Sequence, residues 1–123
     1  MLLDSNILIY AANEPPPKIE AMVTSGENAV ASVVQIEVNG FSGLKAEEKA
    51  ALEVLFRRLT VHPLDTAVID RAITLRQQRK MGLADAIIAA TAIVHGVPLV
   101  TANVGDFKHV EGLKLVDPFA TGA

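Results

Sequence analysis

Apolar positions along the chain fall into short continuous runs and into helical stripes, and the two alternate from end to end. Met1 to Leu3 is a brief apolar run broken by Asp4-Ser5-Asn6, which reads as a buried strand passing into helix-capping residues. Ile7 to Ala12 continues as a short helix. Pro15-Pro16-Pro17 stops it, because each proline removes a donor and fixes φ. A second helix is expected from Lys18 to Thr24, ending before Gly26, and Ala29 to Ser32 reads as the next strand. Ser32 and Gln35 have the spacing of a capping box for a helix running from Val33 to Gly40. Between Ala46 and Leu59, the residues Leu52, Leu55, Phe56 and Leu59 recur at i, i+3, i+4 and i+7, the stripe of an amphipathic helix.

Thr60 to Leu64 predicts a short strand, and Pro63 within it suits an edge position. Asp65 can cap a helix reaching about Lys80. Another helix starts near Leu83 and ends before Gly96, a natural residue just past a helix end. Val97 to Thr101 and Leu113 to Val116 are the last strands. This alternation implies an α/β domain spanning residues 1–123, with a parallel sheet covered on both faces. In such sheets ligands bind beyond the carboxyl ends of the strands, where strand order reverses.

Composition changes the picture in three respects. Half of the 123 residues are apolar, enough for one core and more than a small solvated monomer needs. A self-association or partner surface is one explanation, and an unusually aliphatic core is the other. The absence of cysteine excludes disulfides, thiolate metal sites and cysteine nucleophiles, and fits a cytoplasmic protein. No basic stretch leads into an apolar run at the N-terminus, so no signal peptide is expected. The longest apolar stretch, Ala86 to Val94, is shorter than the ~20 residues of a membrane span. The formal charge of −3 argues against a nucleic-acid partner, but discounting four cation-held carboxylates would turn the balance to +1.

Four acids stand apart from the charged surface runs. Asp4 follows three apolar residues at the end of the first strand. Asp106 lies five residues after Thr101, at the end of another strand. Glu37 sits between Ile36 and Val38 in the second turn of a helix that begins where a strand ends, and its neighbours read as buried. Asp85 opens a helix that is otherwise apolar, Ala86-Ile87-Ile88-Ala89-Ala90. Each has an ordinary alternative: a first-turn acid favoured by the helix dipole for Asp85, a cap for Asp4, a loop acid for Asp106. Converging at one edge, four carboxylates would repel until some took up protons or hard divalent cations joined them.

The same segments resemble the PIN-domain family, and within it VapC-type toxin ribonucleases. Leu2-Leu3-Asp4-Ser5-Asn6 is similar to the family's opening, and Ser32 to Glu37 to its second acidic segment. Leu83-Ala84-Asp85-Ala86-Ile87-Ile88-Ala89-Ala90-Thr91-Ala92 is similar to its third, and Leu99 to Asn103 with Asp106-Phe107 to its fourth. The resemblance implies a three-layer αβα sandwich whose five-stranded parallel sheet has the order 3-2-1-4-5. It implies Mg²⁺ or Mn²⁺, as one or two ions, held by Asp4, Glu37 and Asp85 and completed by Asp106. Ser5, Asn6, Thr101 and Asn103 match polar positions that support the acids. Ala102 departs from the larger, often basic residue of many relatives, which bears on a substrate contact. The implied activity is hydrolysis of single-stranded RNA. The implied partners are a second copy of the chain and a separate antitoxin protein, received on the side of the helices at Lys18 to Thr24 and Ala46 to Leu59.

RNA binding also needs cations, and Arg76, Arg79 and Lys80 on one helix and its end are the candidates, a solvated helix face being the alternative. With one tyrosine and four phenylalanines, base-stacking platforms are scarce, so salt-sensitive phosphate contacts should dominate. His62, His95 and His109 read as structural or solvated. A PIN-like binding module without turnover is the main rival. A phosphate-accepting receiver domain would need an acidic pair at Asp4, and a haloacid-dehalogenase-type phosphatase an aspartate where Asn6 stands.

Overall fold

The computed structural model describes residues 1–120. Five short strands build one sheet: β1 (Leu2–Leu3), β2 (Ala29–Ala31), β3 (Thr60–His62), β4 (Leu99–Val100) and β5 (Leu115–Val116). Their order is β3-β2-β1-β4-β5, and every pairing is parallel. The register sets Leu2 opposite Leu99 and Leu3 opposite Val100, and on the other side Leu2 opposite Ala29. The residues of β1, β2 and β4 are buried, as expected of strands covered on both faces.

Six helices connect the strands: α1 (Ser5–Ala12), α2 (Pro17–Thr24), α3 (Ser32–Asn39), α4 (Ala46–Arg58), α5 (Thr66–Gln78) and α6 (Leu83–His95). The β1-to-β2 and β2-to-β3 connections step one way along the sheet, and the β3-to-β4 connection returns across it. Right-handed crossovers therefore put α1, α2 and α4 on one face and α5 and α6 on the other. The packing agrees for these five: α1 meets α2 and α4, and α5 meets α6, while α3 touches both α1 and α6. Small residues allow α6 to lie close to its neighbours, and Ala86 to Ala92 are buried without interruption.

Helix ends follow local chemistry, with two departures from expectation. Asp65 caps α5, its carboxylate accepting from the Val68 N–H at 3.0 Å, and Gly96 closes α6 at φ 65°. Ser32 does not cap α3. It is the first helical residue, Ala31 precedes it as cap, and no side-chain bond closes the turn. Helix α5 ends at Gln78, so Arg79 and Lys80 lie in the connection to α6. No helix among the described residues is long and apolar enough to cross a membrane.

Candidate active site

The sheet reverses its order around β1, whose neighbours β2 and β4 are reached in opposite directions, and in such sheets ligands bind beyond the carboxyl ends of the strands at that point. Asp4 is the first residue past β1 and is only 4% exposed. Its backbone N–H donates to the Val100 carbonyl at 2.9 Å, which locks the end of β1 to β4. One carboxylate oxygen, Oδ1, accepts from the Ser5 N–H at 2.8 Å and the Ser5 hydroxyl at 3.5 Å. The other, Oδ2, accepts from the Thr101 hydroxyl at 2.7 Å and the Asn6 amide at 3.3 Å. Asn6 in turn accepts from the Ala102 N–H at 3.2 Å, and the Asn103 N–H donates to Thr101 Oγ1 at 3.0 Å. Ser5 acts chiefly, and Asn103 entirely, through its backbone N–H in this network.

The other acids arrive from three different elements. Glu37 is in the second turn of α3, Asp85 in the first turn of α6, and Asp106 ends a 3₁₀ turn at Val104–Asp106 after β4. Burial raises the Glu37 carboxyl above its ordinary range, and the charges of Asp4 and then Asp85 push it further. Burial likewise raises Asp85, followed by the charges of Asp4 and Asp106. Glu37 thus lies in the field of Asp4 and Asp85, and Asp85 in that of Asp4 and Asp106. Among the described residues, no three acids or histidines close into a formed metal cage. Glu37 differs from its expected setting: Val38 beside it is buried, but Ile36 is 72% exposed, so the residue stands at a rim.

Beside Asp85 and Asp106 runs a hollow of about 320 Å³, whose wall includes Arg79, Lys80 and His109. The early end of α5 brings Arg79 and Lys80 into this hollow. Arg76 takes a different position. Its Nε donates to the Met81 carbonyl at 3.2 Å, bracing the connection that carries the other two cations. His109 has a covered Nε2 with no hydrogen-bond partner among the described residues. Nothing in its spacing from Asp106 marked it in the sequence. Its ring shares a wall of the hollow with Asp85 and Asp106.

Comparison with known proteins agrees with this fold. A family model described as PIN domain matches residues 1–113. A "tRNA(fMet)-specific endonuclease VapC" of Shigella flexneri is 29% identical over 126 residues, covering 94% of this chain and 96% of that protein. A toxin–antitoxin complex from Klebsiella pneumoniae contains a chain of similar fold, with TM-score 0.79, 27% identity and 98% coverage of both chains. A structure of VapBC2 from Rickettsia felis bound to a promoter DNA fragment gives TM-score 0.81 and 27% identity, covering 94% of this chain and 96% of that one.

Proposed function

Because the chain belongs to the PIN-domain family, we propose that it is a divalent-metal-dependent endoribonuclease acting on single-stranded RNA in the cytosol, the toxin of a toxin–antitoxin pair. The observation that supports this reading is that four acids from four different segments approach the carboxyl ends of the strands, and that two of them, Glu37 and Asp85, are raised by burial and then by neighbouring carboxylates. Hard oxygen donors whose charges oppose one another suit Mg²⁺ or Mn²⁺. Asp4, Glu37 and Asp85 would hold the ion, with Asp106 completing the site. When bound, such an ion lowers the pKa of a water and screens charge developing on a phosphate.

The chain's own residues supply orientation and attraction. Thr101, Asn6 and the Ser5 N–H fix both oxygens of Asp4, so this carboxylate loses no freedom when it meets a ligand. Arg79 and Lys80 offset the acids on the side where a polyanion must approach. The endonuclease name of the Shigella flexneri relative supports RNA as the class of substrate.

The complex from Klebsiella pneumoniae supports a protein antitoxin as partner. Ile9, Ala12, Val38, Phe41, Leu44 and Leu52 line an apolar groove of about 160 Å³ between α1, α3 and α4, which suits the apolar face of a partner helix. Exposed Ile36, Ile73 and Leu83 suit a homodimer, and sedimentation showing monomer alone at high concentration would remove that element.

The deciding experiment follows single-stranded RNA on a gel with Mg²⁺, Mn²⁺ or EDTA, using wild type, Asp4→Asn and Asp85→Asn. Cleavage by wild type with either ion, lost in both variants and in EDTA, is expected. Cleavage that survives both substitutions rules out the carboxylate centre. A wild type inert with both ions leaves a PIN-like binding module.

A further inference from the structure

The hollow beside Asp85 and Asp106 does not end at His109. The same ring borders a second hollow of about 250 Å³, and Arg79 and Met81 also belong to both. His109, Arg79 and Met81 thus form a partition. On one side are the two carboxylates, and on the other the path leads away past Gln78 and Glu111. Together the two spaces fall within the range that bound small molecules fill, about 300–1,000 Å³.

Three features define what fits. The inner end is acidic and borders the carboxylate cluster. The rim carries two exposed cations, Arg79 and Lys80, on a connection braced by Arg76. The partition holds a buried imidazole nitrogen with no partner. A buried polar atom left unpaired costs stability, so it calls for a ligand that completes it. A compact anion would satisfy the cations but would face the acids at the inner end. A chain of phosphates suits both ends, with one phosphate at the carboxylates alongside their cation and the next between Arg79, Lys80 and His109.

We propose that this double hollow is the channel by which the RNA strand leaves the carboxylate cluster, with His109 Nε2 donating a hydrogen bond to the phosphate adjacent to the scissile one. The inference rests on the ribonuclease reading above. His109 makes no contact with the scissile group in this scheme. It binds the flanking strand. The nitrogen is shielded in the free protein, so an entering strand must move side chains at the rim, and Arg79 and Lys80 are long and exposed enough to give way.

The test uses a 5′-fluorescein single-stranded RNA in two measurements: anisotropy in EDTA and steady-state cleavage with Mn²⁺. The variants are His109→Leu, His109→Gln and Arg79→Gln. Loss of the single hydrogen bond in His109→Leu should weaken binding and raise KM about tenfold, with kcat little changed. His109→Gln keeps a donor and should recover most of the loss, and His109→Leu, which removes an unpaired buried nitrogen, should melt no lower than wild type. Arg79→Gln should reduce the slope of log affinity against log salt by about 0.7. A wild type that cleaves while His109→Leu keeps its KM and affinity overturns this inference alone. So does a His109→Gln as impaired as His109→Leu, which would mean that packing was lost. A wild type that binds through His109 without cleaving upholds the channel and removes the hydrolase. One that neither binds nor cleaves overturns both.

Discussion

The Thr101 hydroxyl donates a 2.7 Å hydrogen bond to Asp4 Oδ2, joining residues 97 positions apart at the ends of adjacent strands. Both groups are buried, and the hydroxyl also accepts from the Asn103 N–H. One oxygen thus ties the carboxylate of β1 to the loop that leads to Asp106.

Replacing Thr101 by Val keeps the shape and removes both roles. Supporting bonds of this kind typically govern about 10–100-fold in metal affinity or activity, and that loss is expected in RNA cleavage for Thr101→Val. Thr101→Ser should stay close to wild type. Equal activity in Thr101→Val and wild type would show that Asp4 is held adequately by Ser5 and Asn6.

Asp85→Asn separates repulsion from metal binding. In EDTA the substitution removes one of the like charges in the cluster, so the midpoint of thermal unfolding should rise slightly. Adding Mn²⁺ should raise the wild-type midpoint, a gain of ~2.7 kcal/mol at a hundred times the dissociation constant, and leave the variant unmoved. Parallel responses in the two proteins would place any bound ion elsewhere.

The acids also predict a pH dependence of the metal-free protein. Glu37 and Asp85 both hold protons more readily when folded than when unfolded. Between the ordinary carboxylate range and their raised values, the folded chain binds more protons, so their contribution to stability falls as pH rises through that window. In EDTA, the advantage of Asp85→Asn over wild type should therefore grow as pH rises from the ordinary carboxylate range through the raised one. A difference that stays constant with pH would mean that Asp85 titrates alike in both states.

Asp65 offers a check on the fold away from the acids. Its carboxylate caps α5 through the Val68 N–H, and Asp65→Ala should cost about 1 kcal/mol, read from denaturant midpoints. No change would mean that water serves the helix end equally well.

Much of this architecture was legible because local chemistry and tertiary demand coincide. Asp65, Gly96 and the prolines at residues 15–17 punctuate helices wherever they sit, and Asp4 breaks an apolar run whatever follows. Other features depend on partners that the sequence does not display. The strands are shorter than their apolar runs because pairing, rather than propensity, ends them: Pro98 and Thr101 flank a two-residue β4. Ser32 has the spacing of a cap but is already helical. Ile36 looked like a core residue beside Glu37 and is largely exposed. His109 became significant only in the fold, where its ring borders the hollow that Arg79 and Lys80 also line and its Nε2 is covered without a partner.

The central strand β1 is made from the second and third residues of the chain, and its register with β4 waits for Leu99 and Val100. During synthesis, Asp4 leaves the ribosome well before Thr101 and the Val100 carbonyl that hold it. Pairing across so long a stretch is slow, because the loop must close before the contacts can reward it. The centre is therefore assembled late in the order of translation: its first acid waits for a partner made 97 positions after it.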